Sequence, residues 1–500
     1  MIRNARLWLA CLVGAAALLG GCAKAPLASA PRAERAAIAE RLTADIQTLA
    51  SDGFAGRQPG TPGGQLTVDY LTRRFAQVGL TSGTNDPGNP WRAPVALTRY
   101  QADRGKVEFV VEGRQVELSP LEAIAVTTRK RELIADAEMV FVGYGSPAIA
   151  TGDVMGKVVI MLSDDSLNPE RRILLETKQA SAVIVVPDVE SALEGGFVFR
   201  VRQATSRERV SLTGEIDEAF AVVADRKAMA RAFGIARWDA LVEAAKADDF
   251  APVAIDAIAN IEARSNRRDF TSYNVIGRIA GSKPEGNPDT GAVLLMAHWD
   301  HLGMCRPEGV QDRICNGAID NASGIALMLE LTRRLAAAGP FENDIYVLAT
   351  SAEESGLLGA QAFAANPPLP LENIIAAFNF DSVALAKSGA PVGFIGEGRT
   401  SLDPLVLQVM AEAERDLGNR ELAQGFIERL DSWVLLQKGV PAVMLSSAFG
   451  SEITLGPFLE REYHSPQDEA AGIELGGAID DLLLHEELVK RLAIPAQPSP

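Results

Sequence analysis

Three of the four histidines in this 500-residue chain, His298, His301 and His464, stand in polar turns beside apolar runs. His298 closes the run Val293-Leu294-Leu295-Met296-Ala297, and Asp300 follows two residues later. At the end of a strand such a histidine emerges into a site, and a nearby carboxylate fixes its tautomer and strengthens it as a metal ligand. Asp320-Asn321-Ala322-Ser323-Gly324 precedes a helical pattern at 325–336; taken alone, Asp320 reads as a helix cap. Ser351-Ala352-Glu353-Glu354 follows an apolar run at 345–350, and Ser351 with Glu354 has capping-box spacing. Adjacent glutamates at a strand end nevertheless repel each other unless a cation neutralises one. Asp381 closes a further apolar run, Phe378-Asn379-Phe380.

The elements that must position these groups follow from periodicity. Positions 274–279, 292–297, 345–350 and 374–380 read as strands, and 324–336 and 356–364 as helices. This alternation predicts an α/β fold, a mostly parallel twisted sheet flanked by helices. In such sheets ligands collect beyond the carboxyl ends of the strands, where His298, Asp320, Glu353, Glu354 and Asp381 would converge, with His464 added from a late loop. Two imidazoles and three carboxylates suit a pair of Zn²⁺ ions bridged by one carboxylate. Two metals roughly 3.5–4 Å apart can activate one water and polarise a scissile carbonyl, leaving the remaining glutamate as general base.

Between 105 and 262 the texture changes to short β-like runs at 107–111, 138–142, 157–162 and 182–186, with a helical pattern at 226–233 and no histidine. This predicts a smaller β-rich domain inserted between a first part of the main domain at 33–104 and its remainder at 263–490. An amphipathic helix is expected at 33–50, a glycine-rich turn at 52–64, a helix at 66–78 stopped by Gly79, and a proline-rich tail at 491–500.

The charge balance, 48 Lys plus Arg against 65 Asp plus Glu for a net −17, comes without a basic block, which excludes nucleic acid as a partner. Arg3 and Arg6 precede an apolar run at 7–19, and Leu19-Gly20-Gly21-Cys22 follows. This predicts an export signal at 1–22 of the lipoprotein type, with Cys22 lipidated, a tether at 23–32, and a membrane-anchored protein of the periplasm. In that oxidising compartment Cys305 and Cys315 are expected to form a disulfide.

In this order, Ala297-His298-Trp299-Asp300-His301, the segment from Gly317 to Gly324, the segment from Ala352 to Gly359, Asn379-Phe380-Asp381 and Tyr463-His464-Ser465-Pro466 resemble the di-zinc aminopeptidase family that includes aminopeptidase Y, bacterial leucyl aminopeptidases and glutamate carboxypeptidase. Asp52 to Thr61 resembles the family's amino-terminal signature, and the inserted segment resembles a protease-associated domain. The resemblance implies that His298 and Asp381 bind one zinc, Glu354 and His464 the other, and Asp320 both. It makes Glu353 the base, Asp300 the group that orients His298, and peptides the substrates. Two places depart from the pattern: Ser382-Val383-Ala384 stands where a Met and a Gly are usual, and Arg429-Leu430-Asp431-Ser432-Trp433 replaces a Ser-Asp-His pattern. Neither removes a ligand, and both bear on specificity. A carboxypeptidase or dipeptidase, a glutaminyl cyclase with a single zinc, and a receptor that has lost the chemistry are the alternatives within this fold.

Overall fold

A computed structural model describes residues 30–145, 149–163, 169–188, 196–205, 207–214, 220–283 and 291–494. The expected signal and Cys22 lie outside these residues. The chain opens with helix α1 (Arg32–Leu49) and a short helical turn at Asp52–Arg57. Helix α2 (Pro62–Val78) starts where Thr61 accepts from the Gly64 N–H, has Pro62 in its first turn, and ends on Gly79 with φ 89°. Each of these is a favoured end signal.

Among the described residues, fifteen strands form one sheet. Its backbone is an antiparallel pair of long strands, β1 (Arg92–Val111) and, after β2 (Ala123–Thr127), β3 (Arg131–Phe141), β4 (Val158–Leu162), β5 (Ala182–Val186) and β6 (Phe220–Ala224), strand β7 (Val253–Ile279). β1 and β7 pair from Ala257 opposite Val111 to Val275 opposite Arg92, with one irregularity between Ala263 and Ser265. The boundaries expected at 104/105 and 262/263 fall inside these strands, with no break in the chain's extended course. β7 reads as a strand over its apolar end at 274–279. The preceding polar stretch Ser265-Asn266-Arg267-Arg268-Asp269 is extended as well, because β1 satisfies its backbone groups on one side.

β3, β4, β5 and β6 run parallel to one another as neighbours and are buried between two apolar layers. Val158, Ile160 and Leu162 face one layer, and Val159 and Met161 the other. On the opposite side of β7 lie β8 (Ala292–His298), β9 (Asp344–Thr350), β10 (Ile374–Asn379), β11 (Gly393–Ile395) and β12 (Ala442–Ser446). They lie in the order β11-β12-β10-β8-β9-β7. β8 is parallel to both neighbours, and β7 and β11 are antiparallel additions at the flanks. Every residue of β8 and β9 is buried, the pattern expected of parallel strands covered on both faces. Val293, Leu295 and Ala297 face helices α1, α2 and α3 (Gly324–Ala338), whereas Leu294 and Met296 face the opposite layer.

Register decides where the site lies. His298, the last residue of β8, pairs with Thr350, the last of β9, and Met296 pairs with Asn379, the last of β10. Three consecutive sheet neighbours therefore end at one level, and the chain beyond each carries the acidic and imidazole groups.

The fourth histidine serves the core. His485, on the final helix α4 (Gly476–Ala493), is fully buried with its ring 4.8 Å from that of Phe380 and 5.4 Å from that of Phe378. Its Nδ1–H donates to the Asp481 carbonyl at 2.7 Å. Burial lowers its pKa to about 4, the Asp481 carbonyl opposing and Arg415 assisting. A depressed histidine pKa stabilises the fold above about pH 6.5 and loses that contribution as pH falls towards 4. Relative to His485→Leu, the unaltered chain is expected to lose about 2 kcal/mol between pH 7 and pH 5, measured as the difference between two urea-unfolding series. A pH-independent difference would refute this.

Candidate metal centre

Beyond β8 the chain carries His298, Trp299, Asp300 and His301 in a buried turn. His298 Nδ1 lies 3.2 Å from the Asp300 main-chain carbonyl. A carbonyl only accepts, so Nδ1 carries the proton and Nε2 offers its lone pair. The Asp300 carboxylate lies farther from that ring, 4.0 Å from Nδ1, and its Oδ1 accepts instead from the Glu353 N–H at 3.1 Å. Asp300 thus orients His298 through its backbone and the base-bearing turn through its side chain.

His298 Nε2 faces Asp320 Oδ1 at 3.3 Å, Asp381 Oδ1 at 3.6 Å and Glu353 Oε2 at 3.8 Å. His464 Nε2 faces Glu354 Oε2 at 2.9 Å and Asp320 Oδ2 at 3.4 Å. The two oxygens of Asp320 therefore point to different histidines, the placement a bridging carboxylate requires. Tyr463 stacks on the His464 ring with centroids 3.8 Å apart. Among the described residues, two sets of donors each have their ligand atoms within 4.8 Å of one another: His298, Glu353 and Asp381 form one set, and His301, Asp320 and Glu354 the other.

The local folding shows why Asp320 is not a helix cap. Gly317, with φ 60°, turns the chain where a Cβ would meet the His301 ring at 2.6 Å and the Asp320 carbonyl at 2.0 Å. The neighbouring Asn321 performs the capping: its Oδ1 accepts from Gly324 N–H at 2.9 Å and from Ser382 N–H at 3.2 Å. Its Nδ2 donates to the carbonyls of Phe380 at 2.9 Å and His298 at 3.3 Å. One amide thus joins the loops carrying His298, Asp320 and Asp381. Asp468 accepts from the N–H groups of Ile319 and Asp320 at 2.7 and 3.0 Å. The capping-box spacing of Ser351 and Glu354 is likewise not used. Ser351 Oγ bonds Ser272 Oγ at 2.7 Å, its N–H donates to Asn274 Oδ1 at 3.0 Å, and Glu354 turns to the histidines.

His301 was legible as a histidine beside the site but not assigned a role. Its Nδ1 lies 2.6 Å from Glu354 Oε1 and 3.8 Å from Asp320 Oδ2, with its Nε2 buried and unpartnered. Asp431, in the segment that departs from the family pattern, is buried with a hydrogen bond from Thr350. Its pKa rises to about 6 because burial outweighs His298 and Thr350. The structure joins Cys305 and Cys315 by a disulfide, closing the loop between His301 and the Asp320 turn.

Electrostatics fit a cation here. Among the described residues no lysine or arginine pairs with Asp300, Asp320, Glu353, Glu354 or Asp381; the partners of Asp320 and Glu354 are imidazoles. Burial pushes Glu353 well above the usual carboxylate range; His298 opposes this, and Glu354, Asp381 and Asp431 reinforce it. Burial also opposes ionised Asp320, but His298, His301 and His464 outweigh it and hold it well below that range. His464 is raised to about 10, burial being overcome by Asp320 and Glu354. Such a set of nitrogen and oxygen donors, crowded and short of positive charge, suits zinc.

Beside these groups opens a cavity of about 280 Å³. Phe426, Phe449, Leu455, Phe458 and Leu459 give it an apolar wall, and Glu428 and Arg429 add charge.

Comparison with known proteins agrees with this geometry. Residues 274–480 match the model described as peptidase family M28. A segment of 103 residues is 35% identical to the alkaline phosphatase isozyme conversion protein of Escherichia coli K12, covering 20% of this chain and 29% of that protein. A probable zinc metalloprotease of Pyrenophora tritici-repentis is 42% identical over 123 residues, 25% of this chain and 27% of that protein. The chain thus spans under a third of the length of these curated relatives. Among solved structures, an aminopeptidase from Aneurinibacillus sp. strain AM-1 shares the fold at a TM-score of 0.52 and 20% identity, over 92% of this chain and 95% of that one.

Burial opposes a charged His298, but Glu353, Asp381 and Asp320 outweigh it and raise its pKa, as Asp320 and Glu354 raise that of His464, so both rings favour an extra proton while no metal is bound. A ligand must shed that proton, so zinc binding is predicted to release one to about three protons at pH 7 and to tighten as pH rises. Calorimetry of zinc binding in buffers of different ionisation enthalpy measures this; buffer-independent heats would contradict it.

Proposed function

We propose that this chain, whose residues 274–480 match peptidase family M28, is a zinc aminopeptidase that removes residues from the amino ends of peptides. The observation that carries the reading is the placement of Asp320 between His298 and His464, one oxygen facing each, with Glu353 beside them and an apolar cavity adjoining. His298 and Asp381 would hold one zinc, Glu354 and His464 the other, and Asp320 both. When bound, the pair supplies Lewis acidity and lowers the pKa of water to about 7.

The remaining steps belong to the chain's own residues. Glu353 Oε2 takes the proton of the attacking water and returns it to the departing amine nitrogen. A carboxyl whose pKa is raised by burial serves both directions near neutral pH. The Asp300 side chain holds the Glu353 backbone, and the Asp300 carbonyl holds the His298 tautomer. The apolar wall receives a hydrophobic side chain. Of the carboxylates lining the cavity, Glu428 alone is assigned neither to the metals nor to the proton transfer, and it can receive a cationic amino end.

The same reading includes export by residues 1–22, lipidation of Cys22, a protease-associated character for the inserted segment, and a periplasmic, membrane-anchored location. The Cys305–Cys315 disulfide suits an oxidising compartment.

Zinc-supplemented hydrolysis of free di- and tripeptides against their N-acetylated counterparts tests the activity. Cleavage of only the free-amine forms is expected; cleavage of blocked forms or of none would overturn the reading. Glu353→Gln is expected to keep its zinc while kcat falls roughly 10²- to 10⁴-fold; loss of metal in that variant would move Glu353 into the ligand set.

A further inference from the structure

Arg57 touches none of the donor groups, yet it is 1% exposed and lies beneath them. Its Nε donates to the Trp299 carbonyl at 2.9 Å, and Nη1 donates to those of Leu49 at 2.8 Å and Asn316 at 2.6 Å. Nη2 donates to the Gly317 carbonyl at 2.8 Å. Trp299 lies between His298 and Asp300, and Asn316 and Gly317 lead into the turn that presents Asp320. All four acceptors are neutral carbonyls, drawn from helix α1 and from two loops that carry donors to different parts of the centre. Burying a guanidinium without a directly bonded carboxylate is costly, and burial lowers its pKa to about 10, with Asp468, Asp320, Asp300 and Glu354 offsetting part of that. Arg57 remains charged at neutral pH. Gly56 brings it there: with φ 66°, a Cβ on that residue would meet the Cys315 carbonyl at 2.3 Å.

We propose that Arg57 is a positioning residue of the metal centre, a planar cation that fixes the separation of the His298 loop from the Asp320 turn and thereby sets zinc affinity. The inference rests on the reading that these groups bind zinc. A fork of rigid N–H groups suits the task, since four carbonyls in different directions need four fixed donors and an ammonium has three. Geometry and charge predict opposite signs. Removing a nearby positive charge by itself would tighten the binding of a dication, whereas releasing two ligand-bearing loops would weaken it.

Zinc dissociation constants, measured by competition with a chromogenic chelator on the full chain and on Arg57→Met and Arg57→Lys, decide between them. Arg57→Met is expected to bind zinc ~10- to 100-fold more weakly, in the range seen when groups that orient metal ligands are lost, with KM for peptide changed less than about twofold at saturating zinc. Arg57→Lys should fall between, and it carries the test if the Met variant does not fold. Unchanged zinc affinity with lowered thermal stability would mark Arg57 as structural only and overturn the proposal, as would tighter binding. An unaltered chain that binds no zinc would sink the metal reading itself, and this inference with it.

Discussion

Mutual repulsion among buried carboxylates is the constraint around which this fold is arranged. Asp300, Asp320, Glu353, Glu354 and Asp381 occupy one small volume at the ends of β8, β9 and β10, without a lysine or arginine among the described residues paired to them. Burial alone disfavours every ionised member of such a set. The chain offsets this with imidazoles on Asp320 and Glu354, and with main-chain N–H groups on Asp300 and Asp468. What those contacts leave uncompensated falls chiefly on Glu353, whose proton is held far more tightly than in water. The same imbalance that would destabilise an empty core makes the place a strong attractor for divalent cations.

A parallel sheet brings strand ends to one level but does not by itself hold the loops beyond them. Here that task falls to neutral, multi-bonded groups. Asn321 spends its amide on four backbone atoms from three segments, and Ser323 Oγ bonds the Ile319 carbonyl at 2.6 Å while receiving the Val383 N–H at 3.0 Å. Gly324 permits the approach, since a Cβ there would meet the Phe380 carbonyl at 2.3 Å. The motif from Gly317 to Gly324 is therefore mostly scaffold, with one functional carboxylate at its centre.

This division explains what was legible in the sequence. Apolar runs ending in His298 or preceding Glu353 and Asp381 announce buried parallel strands and the groups that emerge from them, because burial on both faces leaves a near-continuous apolar record. Asp320 alone was ambiguous with a cap; the strand register and the imidazoles around it resolve that ambiguity. Asp431, Asp468 and the role of His301 left no such record, because their partners are backbone atoms or groups far away in the chain. Nor did the length of β1 and β7: their polar halves satisfy hydrogen bonds along a strand pair whose two members lie more than 100 residues apart, and no local periodicity reports on that.

The donors line one side of the cavity, and its apolar wall is assembled largely from other parts of the chain. Its apolar wall comes from Phe426, Phe449, Leu455 and Phe458, on segments after β10, whereas the acidic groups are fixed by the sheet and by Asn321. Changes at 429 and 430 can therefore alter the cavity without moving the strand ends, whereas Ser382 bonds both Asn321 and Asp381. Asp431 marks where the two parts meet: it is buried against Thr350 at the end of β9 while its neighbours Arg429 and Leu430 line the cavity. Substitutions at 429 and 430 act on what is bound, whereas a substitution at 431 would also disturb the electrostatics around His298 and Asp381. Specificity and chemistry therefore meet at that carboxylate, as they do at Ser382, whose hydroxyl donates to Asp381 at 3.0 Å.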